Sequence, residues 1–542
     1  MEPTSVCPIN EIPPELLARI FWLCMSPFEG HKVFVWPFWW TGCSRVRKTQ
    51  ELVPLAHVCK LWRDLALQTP LLWSSIDGTG GLSGPAFSDL SITAGAPLRI
   101  LTAGMMVLER AASVPLNIFA MQCLHPSVQS ICQNDSARIR ELHLTCIDEK
   151  TETIRRLSDF PAASLEYATF HPTVFTVSLR RSRHSHNPNT ILLWRGQAPR
   201  LRILTWQICI CLPSNQFLSL THLCISPIPD RTPRWGLPDL LKLLYKCPAL
   251  QELVLTRLTA PIPEAEDPPR VALAALRTLV VGWICPALAT WLIDHIIAMD
   301  DATVHIHMPT CPFLHIPARM PASRVDLAHI FLSTDEEDRN IVVTATGKSS
   351  GGIRVDFVEW LPDAFTESCD ICFDWLASLW MTWQLDHVQE LWLSECVNPD
   401  RLGGYPVILG ALPSVTTIFL CESTYHNTYV NQYLYAFAEA LSYTGDGASV
   451  FCPHLKTLHL YLVTETINVE ALAKIRHARQ GLGCPIQSVV VEYIIDMPWG
   501  PGKFSGEDEL PRTENGYEWI EYRLRKDPPQ TPQMPQTPWL DP

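Results

Sequence analysis

The chain has 542 residues, more than one compact core holds, so its length predicts several domains or a repeat array. Hydrophobic residues make up 47% and charged residues 18%, which excludes a chain that is disordered throughout. The formal net charge of −13 disfavours nonspecific binding to nucleic acid or to an anionic membrane surface. We therefore expect no nucleic-acid partner and no membrane partner.

The cysteines and the N-terminus indicate a reducing compartment. The 19 cysteines are odd in number and lie among apolar residues, a pattern typical of buried thiols. Glu2 and Glu11 stand where a secretory signal would carry basic residues before an apolar run. Residues 278–293, an uncharged and largely apolar stretch, are fewer than the roughly 20 residues that a membrane-spanning helix needs. A cytoplasmic or nuclear location is expected.

Near the N-terminus the sequence predicts two amphipathic helices. The first opens at Pro13 and Pro14, which suit a first turn, and has one apolar face, formed by Leu16, Leu17, Ile20, Leu23 and Cys24. The second has a stripe at helical spacing, formed by Leu55, Val58, Cys59, Trp62, Leu65 and Ala66. A turn at Thr69 and Pro70 follows. These elements are too short to enclose a sizeable core, so we expect another chain or a following domain to cover part of their apolar surface.

The order of these elements resembles the F-box family. Its pattern of an LPxE-type start, an LxxIF helix, a V-C-x-x-W helix and a closing LW has counterparts at residues 12–15, 16–21, 58–62 and 72–73. The resemblance covers residues 9–76 and implies a three-helix module that binds a Skp-family adaptor in an SCF-type cullin-RING ubiquitin ligase. It also implies a set of adaptor-binding residues, which the motif leaves divided between that interface and the module's own core: Pro13, Leu16, Ile20, Leu55, Val58, Cys59, Trp62 and Trp73.

One departure from the family pattern is a long insertion, residues 25–51, between the first two helices. It carries a cluster of aromatic residues, namely Phe34, Trp36, Phe38, Trp39 and Trp40. Clustered aromatic side chains favour binding hot spots, so the insertion could form an extra partner-binding surface. Alternatively, it folds back onto the module or the next domain. Insertions of this kind also occur in F-box-like proteins of mushroom-forming fungi, which the sequence resembles.

Residues 90–496 return repeatedly to an L-x-x-L-x-L pattern or a close variant. The last two apolar positions of each occurrence are 142/144, 201/204, 220/223, 253/255, 279/281, 391/393, 418/420, 458/460 and 489/491. Their spacing, such as the interval from Leu255 to Val281, is close to the 20–29 residues of leucine-rich repeats. Helical stretches at 237–247 and 433–443 separate some of the predicted strands. Residues 180–188 and 333–352 interrupt the pattern.

This arrangement predicts an α/β fold: a small N-terminal helical F-box module followed by an irregular leucine-rich-repeat-like solenoid. It also resembles F-box proteins that carry leucine-rich repeats, and this resemblance implies that the array recognises the protein substrate. An irregular α/β domain remains an alternative. The final segment, residues 497–542, is rich in proline, which favours polyproline II or disorder. The identity of the protein substrate is not encoded in any motif.

Motifs with catalytic or metal-binding potential are weak. His305, His307, Cys311 and His315 supply zinc-ligand types, but their spacing matches no zinc module and a strand-to-loop transition explains them better. The single C-x-x-C at Cys369 lacks a second pair, and Gly347-Lys348-Ser349 lacks the earlier glycine of a phosphate loop. We expect no cofactor, no metal and no enzymatic activity. The alternatives are a non-ligase interaction scaffold that uses the same helices and, more weakly, a zinc-dependent enzyme at His305, His307 and Cys311.

Overall fold

The computed structural model describes these residues: 8–26, 47–77, 107–120, 126–147, 151–172, 190–208, 210–227, 233–262, 270–298, 302–308, 327–335, 340–347, 352–358, 385–394, 405–421, 430–442, 450–462, 469–494 and 520–525. The chain divides into two compact units, Met1–Ala275 and Leu276–Pro542. The aromatic insertion residues, Cys311, His315 and Cys369 lie outside the described residues. Within the described ranges, no helix combines the length and the apolar character needed to cross a membrane.

The first unit opens with helices. They are α1 (Pro14–Cys24), α2 (Leu52–Ala56) and α3 (Lys60–Gln68), with 3-10 turns at Pro8–Glu11, Thr49–Glu51 and Pro70–Trp73. The prediction of one continuous second helix was wrong. The backbone of Cys59 is extended, and its Sγ accepts a hydrogen bond from the Trp62 N–H at 3.5 Å, so Cys59 caps α3 rather than continuing α2. The helical stripe hid this break because Cys59 occupies an apolar position in it.

The strands of the first unit form mainly parallel pairs. They are β1 (Ser75–Asp77), β2 (Leu116–Ala120), β3 (Ile139–Ile147), β4 (Tyr167–Pro172), β5 (Thr190–Ile191), β6 (Ile203–Trp206), β7 (Leu212–Pro213), β8 (His222–Ile225), β9 (Glu252–Thr256) and β10 (Val271–Leu273). Strands β1, β2, β3, β4, β6, β8 and β9 pair in that order, each parallel to the next. Strands β5 and β7 form a separate parallel pair.

The repeated leucines set the register of this sheet. Leu142 lies opposite Ala168, and the same row continues through Leu204, Leu223 and Leu253 on the following strands. All members of this row are buried. Because alternate residues of a strand face opposite sides, a one-residue slip would expose the whole row, so burial fixes the register.

In the second unit, parallel pairing is interrupted once. The strands are β11 (Thr278–Gly282), β12 (Ile296–Ala298), β13 (Thr303–Met308), β14 (Leu327–Asp335), β15 (Asn340–Gly347), β16 (Gly352–Val358), β17 (Glu390–Ser394), β18 (Thr417–Cys421), β19 (Thr457–Leu462), β20 (Ser488–Ile494) and β21 (Ile520–Arg525). β15 is antiparallel to both β14 and β16, whereas β14 and the later strands β17 to β21 pair parallel in chain order. The antiparallel strands occupy the interruption noted at residues 333–352.

The remaining helices are α4 (Pro126–Asn134), α5 (Thr151–Leu157), α6 (Leu237–Tyr245), α7 (Pro286–His295), α8 (Tyr405–Gly410), α9 (Val430–Ser442) and α10 (Val469–Gly481). Helices α6 and α9 lie where the apolar spacing predicted them, and Leu240 and Phe437 are buried as expected. The fold is therefore mixed α/β with mostly parallel sheets and a helical N-terminal region, as predicted. The leucine-rich-repeat solenoid stays a prediction. β21 lies within the proline-rich range 497–542, where composition predicted no strand.

Several cysteines are buried free thiols, as their apolar surroundings indicated. Cys132, Cys224, Cys247 and Cys452 are buried and free. Burial disfavours the thiolate and raises the pKa of Cys132, Cys247 and Cys452 to about 12. These thiols therefore stay protonated at neutral pH and act as small apolar side chains.

The second unit contains a buried cation, Arg479, near the end of α10. Its guanidinium donates to the carbonyl oxygens of Phe451 at 2.6 Å, Cys452 at 2.7 Å and Cys484 at 3.2 Å, and the residue is 0% exposed. Burial lowers the pKa of this side chain. Arg479 therefore fastens the end of α10 to the segment that leads into β19.

Two alanine substitutions in α1 should show which of its apolar side chains stabilise the module. Phe21 is buried, whereas Leu23 on the same helix is 66% exposed. We expect Phe21→Ala to cost about 3–5 kcal/mol of local stability because it leaves a cavity. The matched Leu23→Ala should change stability by no more than about 0.5 kcal/mol. Hydrogen exchange of the α1 amides measures both, and equal protection in the two variants would contradict the assigned core.

Arg479→Met should destabilise the second unit by roughly 3 kcal/mol or more, because buried carbonyl oxygens left without a donor each cost about 1–3 kcal/mol. Arg479→Lys should be only a partial rescue, since one ammonium group cannot reach all three carbonyls. Lys474→Met, at an exposed position of the same helix, serves as the control. Thermal unfolding of the three variants gives the comparison. An Arg479→Met variant as stable as the Lys474→Met control would mean that these hydrogen bonds contribute nothing.

Candidate functional site

The N-terminal helices have a closed core of their own. Leu17 and Phe21 of α1 are buried, as is Met25, the residue that directly follows the helix. The ring of Phe21 lies 5.0 Å from the ring of Trp62 in α3, in a tilted arrangement. Trp73 is buried beside α3, and its Nε1–H donates to the carbonyl of Ala66 at 2.7 Å. Apolar contact and this buried hydrogen bond hold α1, α3 and the last 3-10 turn together.

Outside this core, the helical region exposes an unusual share of apolar surface. Of the fourteen large hydrophobic side chains that are exposed in the described residues, nine lie between positions 9 and 71. These nine are Ile9, Leu16, Ile20, Leu23, Val53, Val58, Leu61, Leu67 and Leu71. Scattered exposed leucines are normal on a protein surface, but a concentration in one small module marks a surface that binds another polypeptide.

The clearest part of this surface lies on α1. Leu16, Ile20 and Leu23 are spaced i, i+4 and i+7, so they share one face of the helix. They are 57%, 38% and 66% exposed, in contrast to the buried row of Leu17 and Phe21 beside them. We call Leu16, Ile20 and Leu23 the α1 stripe. The helix thus has two apolar rows, one enclosed by the module and one that faces solvent.

The structure distributes the predicted adaptor-binding residues over three environments. Those exposed to solvent are Pro13, Leu16, Ile20 and Val58; those half-buried are Leu55, Cys59 and Trp62; and Trp73 is in the core. Cys59 caps α3, and Trp62 packs on Phe21, so both have roles within the module. Exposed Leu61 and Val53 were absent from the sequence-based set. In the sequence, both are apolar residues next to the predicted stripe. The sequence alone did not show that their side chains are exposed to solvent.

The two ends of the aromatic insertion lie next to each other in the module. The Lys48 N–H donates to the Ser26 carbonyl at 3.2 Å, and the Ser26 N–H donates to the Glu51 carboxylate. The two ends of the segment 27–46 are therefore joined by hydrogen bonds. The helices on either side pack without requiring a short loop, which explains how a three-helix module accommodates so long an insertion.

The helical module is also anchored to the sheet of the first unit. Thr49 Oγ1 donates to the Ser75 carbonyl at 2.6 Å, and the Arg47 N–H donates to the Ser75 hydroxyl at 3.0 Å. Ser75 begins β1, which pairs parallel with β2, and the Asn117 N–H donates to the Ser74 carbonyl at 2.8 Å. These hydrogen bonds attach the module directly to the parallel sheet.

The candidate zinc ligands are only partly described. His305 is buried and His307 half-buried on β13, two residues apart and therefore on the same face as expected, while Cys311 and His315 lie outside the described residues. In the part of the chain that the structure describes, no three His, Cys, Asp or Glu side chains are grouped so as to hold a metal ion.

Comparison with known proteins agrees with this geometry. No curated protein matches the chain. The F-box-like family model, however, matches residues 9–79, a range that contains α1 to α3, the α1 stripe and β1. The N-terminal region of this chain is therefore F-box-like.

Proposed function

We propose that the chain is the substrate-receptor subunit of an SCF-type cullin-RING ubiquitin ligase. Its F-box-like region would bind a Skp-family adaptor, and the parallel-sheet region that follows would bind the protein to be ubiquitinated. The observation that carries the proposal is the concentration of exposed apolar side chains on a helical module whose own core is already closed. Such a module gains stability only by covering that surface with a partner.

The α1 stripe supports the adaptor half of the proposal. Fully burying an exposed leucine or isoleucine contributes about 1.5–3 kcal/mol, so three such residues supply a large part of the free energy of a specific interface. Pro13 and Val58 extend the exposed set, whereas Trp73 supports it from within the core. Leu55, Cys59 and Trp62 are half-buried and would contribute through their remaining exposed edges.

The proposed binding of a target protein rests on the parallel strands that follow the F-box-like region. A leucine-rich-repeat-like array presents many side chains along an extended sheet and can bind a protein without catalytic groups. The proposed role is positional: the chain holds a target near a charged ubiquitin carrier, and other subunits perform the chemistry. The anchoring of the F-box-like region on β1 suits that role, because a fixed connection limits the volume that a bound target can sample.

A second candidate is an interaction scaffold that uses the same helices for a different partner and never joins a ligase. It is favoured if the aromatic insertion, which begins directly after α1, covers the adaptor face. The two hypotheses make opposite claims about adaptor binding by the folded full-length chain.

Leu16→Asp should abolish co-purification of the full-length chain with a Skp-type adaptor. An aspartate placed in an apolar interface strands a charge, so we expect an affinity loss on the order of 100-fold. Because Leu16 is 57% exposed, circular dichroism and thermal unfolding should remain unchanged. Adaptor binding is measured by pull-down and by titration calorimetry.

The matched control is Leu218→Asp, since Leu218 is 61% exposed in the same unit but lies outside the helical module. It should bind the adaptor as the wild type does. Trp62→Ala tests the core instead and should lose both folding of α1 and binding, because Trp62 packs on Phe21. Failure of the folded wild-type chain to bind any Skp-type adaptor would sink the receptor proposal and favour the scaffold.

A further inference from the structure

Outside the helical module, the described residues of the first unit expose three large apolar side chains, and all three lie within residues 190–251, between the start of β5 and the residue before β9. They are Leu192, Leu218 and Tyr245, which are 54%, 61% and 78% exposed. They follow one another at intervals of 26 and 27 residues, close to the spacing of the repeated leucine pattern. We call these three residues the exposed row.

Hydrogen bonds hold the three segments that carry the exposed row next to one another. β5 pairs with β7, and the Asn215 side chain, just after β7, accepts from the Leu193 N–H at 2.8 Å and donates to the Leu193 carbonyl at 2.7 Å. The Phe217 N–H donates to the carbonyl of Lys246, which directly follows α6, at 3.0 Å. Each member of the exposed row is the chain neighbour of one of these bonded residues, so the three positions belong to one connected surface.

Loose packing does not explain why the exposed row is in contact with water. Leu193, Phe217 and Leu244, the direct neighbours of its members, are all buried. The chain is therefore packed on the core at each of the three places, while the side chains of the exposed row remain in solvent. Apolar side chains that a well-packed scaffold keeps in water, grouped on one surface, are typical of a site that binds another protein.

The same stretch of sequence is basic, although the chain as a whole is acidic. Residues 190–251 contain seven lysine and arginine residues and two acidic residues, whereas the whole chain has a net charge of −13. In the described part of this stretch, the exposed charged residues are all basic, namely Arg195, Arg200, Arg202, Arg234 and Lys242. Asp239 is half-buried there, and its carboxylate accepts from the Gly236 N–H at 3.3 Å. The exposed charge of this stretch therefore favours an acidic partner.

Two of these bases lie close in sequence to members of the exposed row. Arg195 is three residues after Leu192, and Lys242 is one helical turn before Tyr245 on α6. Arg195 pairs with Asp159 at 2.9 Å and Lys242 with Asp239 at 3.4 Å, but the two basic side chains remain 58% and 74% exposed. Surface ion pairs of this kind contribute about 0–1 kcal/mol, so carboxylates of a partner can compete for both bases.

The backbone beside the exposed row is already hydrogen-bonded, which restricts the kind of partner. The Ser214 N–H donates to the Ile191 carbonyl at 2.7 Å, and the Ser214 carbonyl accepts from Lys246 Nζ at 2.8 Å. An added strand therefore finds no unpaired backbone group at Ser214. An amphipathic helix needs only side-chain contacts: its apolar face covers the exposed row, and acidic residues along its margins meet the exposed bases.

We propose that the exposed row binds an acidic amphipathic helix of another protein. Leu218 and Tyr245 contact the apolar face of that helix, and Arg195 and Lys242 contact carboxylates at its margins. That this partner is the protein to be ubiquitinated rests on the proposed receptor function. Binding to the exposed row does not itself require the adaptor, because all three members lie outside the helical module.

The experiment titrates the full-length chain into fluorescently labelled helical peptides and follows their anisotropy. The probe is a peptide of about five turns that carries leucines along one face, at i, i+3, i+4 and i+7 spacing, and glutamates beside them. One control peptide has lysine in place of each glutamate, and the other has alanine in place of each leucine. We expect the wild type to bind the probe at least about tenfold more tightly than either control, because each control removes one of the two kinds of contact.

Substitutions in the chain locate the binding site. Tyr245→Asp should weaken binding of the probe at least about tenfold, since it strands a charge in the apolar contact. The matched control is Tyr435→Asp, at a 43% exposed position of α9 in the second unit, which should bind the probe as the wild type does. Lys242→Glu should weaken binding of the probe and strengthen binding of the lysine peptide. Circular dichroism checks that all variants remain folded.

The proposal is overturned if the wild type does not bind the probe, if it binds the glutamate and lysine peptides equally, or if folded Tyr245→Asp binds the probe unchanged. It is also overturned if a labelled single-stranded RNA binds to the wild type and is lost in Lys242→Glu but not in Tyr245→Asp. In that case the basic residues would serve a nucleic acid, and the apolar side chains would have no part in binding.

Adaptor binding is measured separately on the same proteins. Leu218→Asp should lose the probe and keep the adaptor, whereas Leu16→Asp should lose the adaptor and keep the probe. A chain that binds the adaptor but not the probe would overturn this inference and leave the receptor proposal intact. A chain that binds the probe but no adaptor would do the reverse.

Discussion

The structure of the N-terminal module depends on a conflict within α1: this short helix carries more apolar surface than its neighbours can cover. Leu17 and Phe21 are enclosed by α3 and the following turn, whereas Leu16 and Ile20 face solvent one residue away. No rotation of the helix buries both rows, because a helix presents only one face to a given neighbour. Water therefore remains in contact with an apolar stripe, and a second polypeptide relieves that cost. The proposed adaptor binding rests on this geometry.

The attachment of the module to the sheet adds a second constraint. Thr49 and Arg47 bind Ser75, and Ser75 leads directly into the parallel pairing of β1 with β2. Movement of the module relative to β1 would break buried hydrogen bonds, each worth about 0.5–1.5 kcal/mol. In a receptor whose role is to place a target, rigidity of this connection matters more than the strength of any one contact. Arg47 and Thr49 lie at the C-terminal end of the insertion, and the neighbouring Lys48 N–H donates to the Ser26 carbonyl at the insertion's other end.

Much of the fold was predictable because the spacing of apolar residues in the sequence reflects which face of a strand or helix is buried. Apolar residues in the L-x-x-L-x-L pattern or its variants indicated β3, β9 and β18, since a buried strand face requires apolar side chains at alternate positions. The break between α2 and α3 at Cys59 was not predictable. The Cys59 thiol caps α3, but cysteine also counts as an apolar residue, so the helical spacing of apolar residues continues across the break. The antiparallel β15 and the C-terminal β21 carry no repeat signature, so the leucine spacing did not predict them. In α1 the two apolar rows are adjacent, so periodicity showed an amphipathic helix without telling which row was free.

The two faces of the parallel strands carry different kinds of side chain. The leucine rows must fill a core, so volume and register restrict them. The alternate positions carry different chemistry in each unit. In the first unit, His143 Nδ1 lies 3.1 Å from Thr169 Oγ1 and the ring of His143 meets the edge of Tyr167, a buried polar cluster. In the second unit, the equivalent alternation brings Trp392 and Phe419 into a stack. These positions are themselves buried at His143, Thr169 and Trp392, so packing restricts the face opposite the leucine rows as well.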